Sequence, residues 1–162
     1  MSQLATANSE ASLPAVKYSP NPHLLACEAV MRECEQVECP LTHFFYPGLY
    51  VRQIFMKAGT LVVSKVHKTC HPFSILKGVV SVRNGDEVVT LRAGHLGETF
   101  PGTHRLLYII EDTTWVTYHP NPTNETSLEI LESLIIEKHE TPHLEDFNLA
   151  ADIQNLTQPL VP

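Results

Sequence analysis

No run of about 18 apolar residues occurs anywhere in the chain, so no segment can cross a bilayer as a helix. No basic stripe interleaved with aromatics occurs either. With 11 Lys and Arg against 18 Asp and Glu, the formal charge of −7 repels phosphate backbones. A nucleic-acid polymer and a membrane are therefore excluded as expected partners, whereas one small anionic ligand in a local positive pocket stays compatible. The four cysteines, Cys27, Cys34, Cys39 and Cys70, form no C-x-x-C pair, which argues against a zinc knuckle. Free, mostly buried thiols are expected. The N-terminus, MSQLATANSEASLPAV, lacks the basic start and apolar stretch of a signal peptide, and a cytoplasmic location is expected. What remains is ordinary globular composition, 43% hydrophobic and 18% charged, at a length that suits one core.

Residues 1–22 are small and polar, end in Ser19-Pro20-Asn21-Pro22 and read as a flexible arm. Residues 23–138 read as a single domain and 139–162 as a tail. Leu24, Cys27, Met31 and Cys34 recur at spacings of three and four and predict a short amphipathic helix. Beyond Pro40 come short β-prone runs: Tyr50, Arg52, Ile54 and Met56 alternate with Val51, Gln53 and Phe55, then TLVVSKVH, FSILKG, VVSV, EVVTL, TF, RLLYII and TWVTYH follow. Asn84-Gly85 predicts a type I′ hairpin. About eight strands with short turns predict a closed or nearly closed antiparallel barrel. Thr126 and Glu129 offer a capping box for a C-terminal helix with Leu128, Leu131, Leu134 and Ile135 as its apolar stripe.

His67 and His71 stand four apart beside Pro72, which disfavours a helix; on a bent strand both can face one side. Two inward imidazoles are half a site for zinc, iron, manganese or nickel. A third partner follows if RLLYII and TWVTYH form a hairpin centred near Asp112. Arg105 would then oppose His119, Leu107 would oppose Thr117 and Ile109 would oppose Trp115, with His104 turned the other way. A one-residue slip reverses that assignment. Histidines four apart also occur in chains with no site, and a hairpin loop alone explains Tyr108, Glu111, Asp112 and Trp115. His23, His43, His95, His139 and His143 lie on polar, turn-like segments and are expected in solvent.

The stretch from Tyr50 to His119, nearly half the chain, resembles the small single-domain cupins, including a set often encoded by tailed bacteriophages. The segments AGTLVVSKVHKTCHPFSILKGVVSV and FPGTHRLLYIIEDTTWVTYHP carry the resemblance. It implies a mainly β, cupin-type antiparallel barrel, or jelly roll, with a short N-terminal and a C-terminal helix. Counting back from Gly78, His71 stands at the family's Glu/Gln ligand position, His67 at its second histidine and Lys65 at its first, while Gly59 opens the motif. In the second motif Arg105 replaces the ligand histidine three residues after Gly102, and Phe100 takes the proline position. His104 and His119 are the candidates to restore a three-histidine site. If the protein is phage-encoded, its location is the host cytoplasm.

Two cations at ligand positions repel a divalent ion and favour an anion. The leading expectation is a module that binds or sequesters a small anionic metabolite or nucleotide through Lys65, Arg105, Tyr108 and Trp115. The alternative is a metal-dependent enzyme whose one divalent transition metal is held by His67, His71 and either His119 or His104. A phage accessory or assembly role is the third. Cupins commonly pair through outer strands, so a homo-oligomer is expected.

Overall fold

The computed structural model describes residues 21–139 together with Gln154 and Gln158. The readings of the N-terminal arm up to residue 20 and of nearly all the tail, His143 included, lie outside these residues.

The first helix, α1 (Pro22–Glu33), begins where the sequence reads as aperiodic. Asn21 is its N-cap, accepting from the His23 backbone N–H at 3.0 Å, and Pro22 occupies the first turn, where its missing N–H costs nothing. Leu24 and Cys27 pack on Leu106. The predicted stripe stops short, because Cys34 is the exposed C-cap. Of the four free thiols only Cys27 is buried; Cys39 is half-buried and Cys34 and Cys70 are exposed, which corrects the expectation of mostly buried cysteines.

Nine antiparallel strands follow: β1 (Leu41–Tyr46), β2 (Gly48–Met56), β3 (Leu61–Val63), β4 (Val66–His67), β5 (His71–Asn84), β6 (Glu87–Arg92), β7 (Leu96–Thr99), β8 (Leu106–Asn121) and β9 (Ile136–Glu137). The architecture is mainly β and fits a jelly roll. The pairing order is β1-β2-β8-β5-β6, with β3 on β8 and β7 on β5; the described strands do not close into a barrel. FSILKG and VVSV merge into the 14-residue β5, and RLLYII and TWVTYH into the 16-residue β8.

The predicted hairpin at Asp112 is therefore absent. Glu111-Asp112-Thr113-Thr114 contains no glycine or asparagine to take the positive φ of a tight hairpin turn, and no residue there has positive φ. The chain bends instead. The first half of β8 pairs with β3 and with Val80–Arg83 of β5, the second half with β2 and with Phe73–Ile75, and register shifts lie between Ile75 and Val80. At the bend Gly78 (φ 91°) lets β5 lie against the Asp112 carbonyl and Thr113, where a Cβ would collide.

The β5–β6 hairpin closes on the pair Asn84 and Glu87, so its two-residue loop is Gly85-Asp86. Only Gly85 has positive φ there (62°), the pattern of a type II′ turn rather than I′. Met56, Phe73, Ile75, Val80, Val82, Leu107, Ile109 and Trp115 form the core. The last helix, α2 (Leu128–Ile135), is capped one residue later than expected: Ser127, not Thr126, accepts from Ile130, so Glu129 completes no capping box. Only Leu131 and Ile135 of its expected stripe are buried, against Tyr50 and Ile136; Leu128 and Leu134 are exposed.

Candidate functional site

Alternation along β2 and β8 builds the wall of a cavity of about 360 Å³. Tyr50, Arg52, Ile54 and Met56 all line it, as do Trp115 and Thr117 from β8. Register sets these side chains in rows: Tyr50 beside His119, Arg52 beside Thr117 and then Phe73, and Ile54 beside Trp115 and then Ile75. β4 is held by β9, His67 pairing with Ile136, so the segment after α2 supports the histidine strand. Leu128, Glu132 and Ile135, three residues of one α2 face, cover the cavity's rim.

Three histidines converge. The His71 ring lies 4.7 Å from His67 and 4.2 Å from His119, and His67 and His119 are 6.5 Å apart between ring centroids. All are buried; of the three only His67 lines the cavity. His71 Nδ1 faces the Thr69 carbonyl at 3.1 Å, and His119 Nε2 faces Thr117 Oγ1 at 2.9 Å. His67 Nδ1, His71 Nε2 and His119 Nδ1 have no hydrogen-bond partner among the described residues. Burial, reinforced by His71 and Arg52, pushes His67 down to about 2 and His119 to about 3. Burial takes His71 down to about 4 against the opposing Thr69 bond. All three are neutral at pH 7 and keep a lone pair.

Donor chemistry thus suits a divalent transition metal. Placement does not: among the described residues no group of three His, Cys, Asp or Glu is arranged to hold one. His104 does not join the trio. It faces His139 at 5.6 Å, with burial lowering its pKa and Glu28 opposing that shift. Its neighbour Arg105 points the opposite way, into the cavity, as alternation requires, although the hairpin from which this was expected does not exist.

Arg105 donates to Thr99 Oγ1 (3.0 Å) and the Glu98 carbonyl (3.1 Å), and its guanidinium lies 5.3 Å from the Phe73 ring. Phe73 in turn stacks on Trp115 at 4.3 Å. Lys65 lines the rim rather than the interior; it is exposed and ion-paired with Glu132. Tyr108 is not at the site at all. It packs against the Leu24, Cys27 and Leu106 cluster, because the unbroken β8 places it on the α1 side.

Sequence reasoning missed three residues. Arg52 is a cation on the inward face of β2, and among the described residues no acceptor hydrogen-bonds its guanidinium. Burial lowers its pKa, with Tyr50 and Glu132 opposing. Tyr50 is buried, and its hydroxyl meets His43 Nδ1 at 2.8 Å. His43, expected in solvent, lines the cavity from β1. The signal for Arg52 was present: a charge at an inward position of the series Tyr50, Arg52, Ile54, Met56.

No protein-family model matches the chain, and no curated protein matches it. Solved structures resemble it in shape. A cupin-2 domain protein from Shewanella frigidimarina is 13% identical, with a TM-score of 0.42 over 59% of this chain and 92% of that one. A Klebsiella pneumoniae protein with a double-stranded β-helix domain is 16% identical, with a TM-score of 0.46 over 65% and 90%. Salicylate 1,2-dioxygenase from Pseudoaminobacter salicylatoxidans is 15% identical, with a TM-score of 0.49 over 68% of this chain and 33% of that enzyme. These likenesses concern the fold, and its neighbours are cupin-2 and double-stranded β-helix proteins.

Proposed function

We propose that the chain is a cupin-type binding protein that holds a small organic anion in the cavity beneath α2. One observation carries this reading: the Arg52 guanidinium sits inside the cavity with no hydrogen-bond partner among the described residues. A half-buried cation whose opposing carboxylate, Glu132, is shared with Lys65 is under-compensated, and a bound anion relieves that cost. Ile54, Met56, Val62, Leu107 and Trp115 supply an apolar wall for the ligand's carbon skeleton. Calorimetric titration of small carboxylates tests it. Arg52→Gln is expected to weaken binding at least about tenfold, the scale of a lost charge-assisted hydrogen bond. A wild type that binds no carboxylate, or a folded variant that binds equally well, sinks the reading.

A second reading is a metal-dependent enzyme in which His67, His71 and His119, whose unpaired nitrogens are suitable donors although their present placement is not that of a ligand set, would hold one divalent ion only after their rings turn. Elemental analysis of tag-free protein decides: this reading requires about one equivalent of metal per chain, lost in His119→Ala, which removes one of the three ligands. Trace metal unchanged by that substitution rejects it.

A further inference from the structure

From the charges facing the cavity, and resting on the anion-binding reading, we infer that the ligand is a dicarboxylate held at both ends, one carboxylate on Arg52 and the other on Arg105. The two arginines belong to one row. Arg52 neighbours Thr117, Thr117 neighbours Phe73, and the Arg105 guanidinium lies over the Phe73 ring. Adjacent strands are about 4.8 Å apart, so the backbones of Arg52 and Phe73 stand about 10 Å from one another, with the small Thr117 between them. Both cations thus line the same space.

The charge balance leaves the cations in excess: Lys65, Arg52 and Arg105 line the cavity against one carboxylate, which also feels Arg52. Glu132 is the one carboxylate among the described residues that lines the cavity, and it is ion-paired with Lys65 at the rim. Arg105 is bound by a hydroxyl and a backbone carbonyl, both neutral, and Arg52 by no acceptor among the described residues. Two positive charges in excess of the lining carboxylate, in a largely apolar chamber, fit two negative charges joined by a short carbon chain. A monoanion leaves one guanidinium desolvated and unpaired.

The test uses matched pairs that differ by one charge at constant size: succinate against succinamate, glutarate against glutaramate, adipate against adipamate, titrated into the wild-type protein. At least one dicarboxylate is expected to bind at least about tenfold more tightly than its monoamide. In Arg52→Gln and in Arg105→Gln that preference is expected to vanish. Butyl phosphate is the control for one doubly charged group. If the diacids and monoamides bind wild type equally, or if butyl phosphate binds more tightly than every diacid, the two-ended arrangement is overturned while anion binding survives. If no carboxylate binds at all, anion binding itself fails. The wild-type comparison stands even if either variant does not fold.

Discussion

A histidine that stays neutral in the fold becomes a liability in acid. The folded values of His67, His71 and His119 lie well below 6.5, chiefly through burial. The unfolded chain therefore takes up protons below about pH 6.5 that the folded chain refuses. The stabilisation is complete above that pH and is lost as pH falls toward the folded values, by up to about 1.4 kcal/mol per pH unit for each imidazole. Urea denaturation of metal-free protein at pH 7.5, 6.5 and 5.5 is expected to show stability falling across the last interval, less steeply in His67→Gln. Parallel profiles would show that His67 is already protonated in the fold. The sequence marked His67, His71, His119 and Arg105 through spacing and a motif count. It could not mark Tyr50 and His43, because their pairing depends on β1 lying antiparallel to β2, a tertiary fact. Lys65 does line the cavity, but its ion pair with Glu132, 67 residues away in sequence, could not be read from the motif count.

At the scale of elements, the decisive feature is the bend shared by β5 and β8. Gly78→Ala would place a methyl group against the Asp112 carbonyl and Thr113, at a φ of 91° that a side chain rarely adopts. Left-handed strain of about 1–2 kcal/mol adds to overpacking of about 1–3 kcal/mol. A loss of roughly 2 kcal/mol or more in chemical denaturation is expected, and a loss under about 0.5 kcal/mol would show that the two strands separate easily at the bend. The strand segments were legible from their alternation, but their continuity was not. Glu111-Asp112 looks like a turn by polarity alone, whereas the glycine that permits the bend lies on the other strand. The Asn84-Gly85 signal did mark a real hairpin and missed its loop by one residue, since the final pair is chosen by the β5–β6 register.

For the whole molecule, the β class and the two flanking helices could be read from periodicity, while barrel closure could not, because it depends on whether distant edges meet. Among the described residues β1 and β6 end the sheet unjoined, and β1 carries exposed Leu41, Phe44, Phe45 and Tyr46. The cavity takes one wall from β2 and β8, and its rim from α2. That order has a kinetic consequence. Among the described residues β2 pairs with β1 and β8, and β5 joins β2 through β8, the last long strand to emerge during synthesis. A nascent chain can close the local β1–β2 and β5–β6 hairpins early, but the two halves have no common partner until residues 106–121 arrive. Folding is consequently governed by long-range closure rather than by local helix or hairpin formation, which places this chain among slow-folding β topologies.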